Sequence, residues 1–223
     1  MSTRSPVLRM RVQGAYACFS RPELKTERVS YAVPTPSAIR GIYEAVLWKP
    51  AICWHATRIY VRKPIRFVAL KRNEVNRVAA TPSGKTISNG GPAPQFFADE
   101  DRAQRNTVAL CDVDYVFEAF FTMMPSAGES DNVYKFIDMF SRRLEKGQCF
   151  TTPYLGCREF AADFSPAPAD DYMTSIDDCR DLGLMLWDIS FAPSGNRAHF
   201  FAAKMEKGVV DIPERPGKGV ELT

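Results

Sequence analysis

From Val113 to Met123 apolar side chains take alternate positions, Val113, Tyr115, Phe117, Ala119, Phe121 and Met123, with Asp112, Asp114, Glu118 and Thr122 among the residues on the other face. Successive side chains of a strand leave opposite faces of its sheet, so the pattern fixes a long strand with one face on a core. Leu8, Met10 and Val12, interleaved with Arg9, Arg11 and Gln13, repeat the pattern near the N-terminus with a cationic outer face. A sheet built on two such strands must cover its apolar face with helices or a second sheet.

The helices follow from the 3.6-residue period. Pro34-Thr35-Pro36-Ser37 supplies a stop and an N-cap, and Ile39, Ile42, Tyr43 and Val46 continue at helical spacing up to Pro50. A second helix starts near Ser130 or Asp131 and carries Val133, Phe136, Ile137, Phe140 and Leu144 on one stripe. Lys135, Arg142, Arg143 and Lys146 lie off that stripe, and Gly147 ends it. Residues 52–62 and 65–73 read as strands, either a hairpin or neighbours, separated by Lys63-Pro64. Residues 78–106, polar and turn-rich, predict a mobile insertion, and the acidic stretch 163–181 a solvated connection turned away from phosphate. Strand-like runs at 184–191, 198–205 and 208–212 close the chain. The order strand, helix, strand, strand, then strand and helix predicts an α+β, ferredoxin-like (RNA-recognition-type) sandwich with one sheet face open to stack bases.

A chain of 223 residues, 45% apolar, holds one domain or a main domain with an appendage. No apolar run reaches the roughly 18 to 20 residues of a bilayer span and the first residues lack a secretory stretch, so a cytoplasmic protein with no membrane partner is predicted. The six cysteines are scattered and read as thiols, Cys149 and Cys157 as small buried hydrophobes, with no metal site and no cofactor expected. Phosphate-loop, dinucleotide, serine-hydrolase and zincin motifs are absent, and no cluster of carboxylates suits two-metal cleavage.

Charge points elsewhere. Residues 1–75 hold fourteen Lys/Arg against four acids, a surplus of ten in a chain whose total is +3, which suits a phosphate backbone. Metal-free RNA cleavage needs a base for the 2′-OH, an acid for the leaving 5′-oxygen and a cation for the developing phosphorane. The two histidines, His55 and His199, both read as packed strand residues; Lys135 is a cation off the apolar stripe.

Seven ordered strings then carry a likeness: Gly14-Ala15-Tyr16-Ala17-Cys18-Phe19-Ser20-Arg21-Pro22-Glu23, Glu27-Arg28-Val29-Ser30-Tyr31, Thr35-Pro36-Ser37-Ala38-Ile39-Arg40-Gly41-Ile42, Trp48-Lys49-Pro50-Ala51-Ile52, Pro64-Ile65-Arg66-Phe67, Arg72-Asn73-Glu74-Val75, and Gly147-Gln148-Cys149-Phe150 through Pro153-Tyr154-Leu155-Gly156-Cys157-Arg158-Glu159-Phe160. In this order they resemble the family-five CRISPR-associated proteins of type I-C systems. The resemblance implies a ferredoxin-like domain over 1–155 and a small C-terminal antiparallel β-sheet extension over 156–223. It also implies a metal-independent endoribonuclease that cuts CRISPR repeat RNA at a hairpin base by 2′-OH attack, leaving a 2′,3′-cyclic phosphate. Such a protein keeps the 5′ handle and joins the backbone and large subunits of the type I-C surveillance complex.

The family uses a tyrosine near the end of the first helix and a Lys-His pair at the start of the second; here those positions are Leu47, Lys135 and Phe136. The catalytic expectation therefore rests on Lys135 with Tyr43 or Tyr134. RNA contacts are expected from Arg11, Tyr16, Arg21, Lys25, Arg28, Arg40, Arg72 and Arg158. A non-catalytic handle-binding cap is the alternative, and duplex DNA a third partner for the same basic surface.

Overall fold

The computed structural model describes residues 3–24, 26–76, 81–90, 97–167, 175–193, 195–215 and 220–221. In chain order the elements are β1 (Leu8–Ala17), β2 (Arg28–Val29), α1 (Pro36–Val46), β3 (Ile52–Val61), β4 (Phe67–Val75), α2 (Gly84–Ser88), β5 (Arg102–Met123), α3 (Val133–Glu145), β6 (Asp163–Pro166), β7 (Arg180–Ser190), β8 (Arg197–Met205), β9 (Val209–Asp211) and β10 (Val220–Glu221).

The alternating run of the sequence is the second half of β5, the strand round which everything else is arranged. That half lies between β1 and β3, antiparallel to both, while its first half pairs with β4 and, in parallel over two residues, with β2. With β6 beyond β1 and β9 beyond β3, the order across the sheet is β6-β1-β5-β3-β9. A separate sheet runs β10-β8-β7. The molecule is α+β with mainly antiparallel pairing. β6 and β9 come from beyond residue 155 yet hydrogen bond into the main sheet, so that sheet draws strands from both sides of the boundary expected there.

Two sequence expectations change. The hairpin reading of 52–62 and 65–73 is overturned, because β3 and β4 lie end to end on one edge of β5. The break between them faces Asp112, whose φ of 53° interrupts the ladder, and Lys63 Nζ (2.6 Å) and Arg66 Nη2 (2.7 Å) both bind its carboxylate. The insertion expected at 78–106 is shorter, since residues 102–106 already belong to β5 and Ser83 caps α2; residues 77–80 and 91–96 lie outside the described ones.

One face of the main sheet carries Met10, Val12, Trp54, Ile59, Phe117 and Phe121 into the core. Ile39, Ile42, Tyr43 and Val46 of α1 and Val133, Phe136, Phe140 and Leu144 of α3 cover it, the two stripes read from the sequence. Each such side chain contributes roughly 1.5–3 kcal/mol by leaving water.

The opposite face is not an open base-stacking surface. Glu118 accepts from Arg9 (2.8 Å) and Tyr60 (3.3 Å) and lies 3.8 Å from Arg58, while Asp114 pairs with Arg11 and Arg62. Val116 is buried between these pairs and Phe120 beyond Glu118, with the Arg4 guanidinium 3.6 Å from the Phe120 ring centre. Long guanidinium stems cover apolar sheet surface well, so a cationic strand face need not be a wet one. Among the described residues no helix is long and apolar enough to cross a membrane.

Candidate nucleic-acid interface

The end of α1 anchors everything exposed and chemically useful. Four carbonyls at its end find donors: Leu47 N–H on Tyr43 O, Phe150 and Thr151 N–H on Ala45 O, Arg143 Nη1 on Val46 O, and Trp54 Nε1 on Leu47 O. These bonds hold the loop after α3 against α1. Gly156, at φ 84°, lets the loop pass so close to Cys18 that a Cβ would strike its carbonyl.

Between α1 and this loop lies a cleft of about 540 Å³. Ser37, Gly41, Glu44 and Trp48 line it from one face of the helix and its continuation, and Phe150 and Tyr154 from the loop. Trp48, Phe150 and Tyr154 are exposed, at 53%, 69% and 41%. Gly41 is out of place in a helix, where alanine would be favoured by about 0.5–1 kcal/mol. A Cβ built there meets no atom within 4 Å. Among the described residues Glu44 has one ion-pair partner, Arg40 at 3.9 Å; burial raises its pKa, and the nearby Asp188 adds to this against the pull of that arginine.

Past Trp48 the chain turns into a second depression of about 310 Å³ lined by Lys49, Pro50, Ser126, Asp131, Lys135 and Met139 among others. Lys135 Nζ bonds Asp131 Oδ1 at 2.8 Å, and that bond, with a second from the Gly128 N–H, holds the Asp131 carboxyl below its ordinary pKa. Asn132 caps the helix by accepting the Lys135 N–H at 2.9 Å, which places the lysine in the first turn with its head at the rim. Asp131 and Lys49 escaped the sequence reading; the first served there only as a helix start and the second only as part of an aligned string.

The other catalytic expectations fare differently. Tyr43 is wholly buried, its hydroxyl shared between the carbonyls of Leu8 and Phe117 at 2.9 Å, and burial drives its pKa well up. It is a core residue with no route to RNA, which corrects its proposed part in proton transfer. Leu47 and Phe136 are buried too. Tyr134 is exposed at 79% and lines a neighbouring groove that shares Asp131. Neither imidazole stands near Lys135: His55 stacks on Phe120 and bonds Thr122 Oγ1 (3.0 Å), and His199 bonds Ser190 Oγ (3.0 Å). His55 has its pKa lowered by burial and by Arg40 and Arg4.

Of the predicted RNA contacts, the fold gathers Arg21, Arg28, Arg72 and the Arg158 segment into one corner. Arg28 and Arg72 both hold Glu159 and Glu74, and the Arg21 N–H bonds Val29 O while its guanidinium lies over Tyr31. Arg158 is exposed. Tyr16, half-exposed, packs on Phe160 at 5.9 Å. Arg11 is apart, in a two-bond pair with Asp114, and Arg40 is turned to Asp188 of β7. Lys25 lies outside the described residues. The cysteine expectation is corrected: Cys149 is exposed, and the half-buried Cys157 has its pKa lowered by a bond from Cys18 and by Arg28, whose Nη1 is 3.7 Å from its sulfur.

The family model described as CRISPR-associated protein (Cas_Cas5) matches residues 7–213. The CRISPR pre-crRNA endoribonuclease Cas5d of Mannheimia succiniciproducens is 45% identical over 214 residues, covering 92% of this chain and 94% of that protein. That of Thermus thermophilus is 40% identical over 225 residues, covering 92% and 91%. Two solved structures share the fold. One, titled "Crystal Structure of CRISPR-associated Protein", has a TM-score of 0.68 at 22% identity; the other, of the functionally uncharacterized protein SMU1763c from Streptococcus mutans, has 0.67 at 21%. Each alignment covers 94% of this chain and 93% of the other. The chain belongs to the Cas5d family of CRISPR-associated proteins.

Proposed function

We propose that this protein cuts CRISPR repeat RNA without a metal and retains the 5′ handle as a subunit of a type I-C surveillance complex. The observation that carries the reading is identity of 45% along nearly the whole length of a protein named for cleaving the CRISPR RNA precursor. The geometry supplies a cation where one is needed: Lys135 reaches the rim beside Lys49, and an incoming phosphate competes with Asp131 for its ammonium. Stabilising the phosphorane is its role. Tyr134 is the remaining phenol of the expected set that solvent reaches. The order β6-β1-β5-β3, with α1 and α3 on one face, supports a ferredoxin-like reading of the main unit; β7, β8 and β10 form the extension.

Incubation of the purified chain with its own repeat hairpin in EDTA is expected to yield a single cut and a 2′,3′-cyclic phosphate. Lys135→Ala should slow it by roughly 10²-fold or more. An uncut hairpin at micromolar enzyme removes the nuclease claim. The second reading, a cap that holds an already processed handle, is favoured by the burial of Leu47, Phe136 and Tyr43, which leaves the lysine with few proton-transfer partners. Tight handle binding without cleavage is its signature.

A further inference from the structure

The cleft between α1 and the loop after α3 is separate from the Lys135 depression, and none of the predicted catalytic residues or arginines lines it. Three exposed aromatic rings, Trp48, Phe150 and Tyr154, stand round a bare stretch of helix at Gly41, where a Cβ would meet open space. The one carboxylate on the wall, Glu44, has a single long ionic contact and no hydrogen bond among the described residues. At one end the chain leads from Trp48 into Lys49 and the Lys135 depression, and at the other from Gly156 to the exposed Arg158, next in the chain to the Glu159 that Arg28 holds. Cations therefore flank the cleft at both ends while its interior offers ring faces and an acceptor. Phosphates belong at such ends and a base between them.

We propose that this cleft holds one unpaired nucleobase of the bound RNA, stacked against the aromatic rim with its Watson–Crick edge on Glu44. Guanine fits best, because its N1–H and N2–H form two parallel donors that a carboxylate fork can accept. The volume of about 540 Å³ lies in the ordinary range for a small-ligand pocket. Gly41 has no side chain, which leaves room for the base edge against the helix. The proposal rests on the RNA-binding reading but not on cleavage.

The test uses the full chain and single-stranded heptaribonucleotides, seven uridines against the same oligomer with a central G, A or C. Binding is read from tryptophan fluorescence quenching and by filter retention. The central-G oligomer is expected to bind about tenfold tighter than uridine alone. Glu44→Gln should bring G down to the level of A, and Trp48→Ala should remove the gain from any purine. Gly41→Met, which has space to fold, fills the cleft and should do the same with no loss of melting temperature. Equal binding of all heptamers by the unmodified chain overturns the proposal, as does a G preference that survives Gly41→Met. Concentration-dependent self-association abolished by Gly41→Met would assign the cleft to a second copy and equally overturn it. Cleavage of the repeat hairpin, scored in parallel, keeps the two readings apart. A cut hairpin without base preference removes only the cleft, and an uncut hairpin with a Gly41-sensitive preference removes only the nuclease.

Discussion

At the residue scale, Tyr43 shows how far a residue type misleads when its surroundings are unknown. The stripe Ile39, Ile42, Tyr43, Val46 already placed it on the apolar face of α1, and a buried tyrosine hydroxyl ordinarily finds a backbone partner. Its two carbonyl partners come from β1 and β5, distant in sequence, so nothing local announced them. Tyr43→Phe should cost about 1–2 kcal/mol of stability and leave cleavage at saturating RNA within about twofold, read by thermal melting and single-turnover rates. A hundredfold slower cut at unchanged melting temperature would return Tyr43 to the chemistry. The exposure of Lys135 was legible for the opposite reason: its spacing off the stripe of α3 turns it to solvent. Glu44, Trp48 and Phe150 were not, because a cleft between a helix and a loop has no periodic signature. Gly41, a glycine inside a helical pattern, was the one local sign available.

Elements were more readable than their partners. Both helices, β1, β3 and the late strands lie within a few residues of where periodicity puts them, because each buries one face and the burial imposes the period. Pairing was less legible. That β3 and β4 share an edge of β5 depends on the φ of Asp112 and on two cations that reach its carboxylate from the 62–66 link, none of which alters the alternation of the flanking residues. The start of α3 was missed by one or two positions, and the error has a chemical meaning. Asn132, not Ser130 or Asp131, is the cap, which frees Asp131 to bind Lys135. Asn132→Ala should remove about 1 kcal/mol, lowering the melting temperature by about 2–4 °C in a chain of this size. Amide exchange at Lys135 and Phe136 should quicken with it. Unchanged exchange there would mean that the Asp131 pair, rather than the cap, sets the helix start.

For the whole molecule the decisive quantity is where the positive charge of the first third goes. The sequence offers a surplus of ten charges over residues 1–75, but the fold sets most of those cations against acids of the later chain: Arg9 and Arg58 against Glu118, Arg11 and Arg62 against Asp114, Lys63 and Arg66 against Asp112, Arg40 against Asp188, Arg28 and Arg72 against Glu159. Glu118 and Asp114 are buried, so competing phosphates cannot simply displace them. The cations near the Lys135 depression and the cleft are a different set. Lys49 and Lys135 lie beside Asp131, Arg142 lies two turns along the same face of α3, and the exposed Arg158 follows the cleft-lining Gly156 by two residues. Salt dependence distinguishes the two pictures. With a slope of about −0.7 per phosphate contact for single strands, about four contacts predict that handle affinity falls roughly 50-fold between 50 and 200 mM salt, whereas ten would give about 10⁴-fold. Titrations of handle RNA at four or five salt concentrations measure the slope directly. A value near −3 fits a strand held at a few phosphates and by its bases, and a value near −7 would require the paired arginines of the outer sheet face to open toward the RNA.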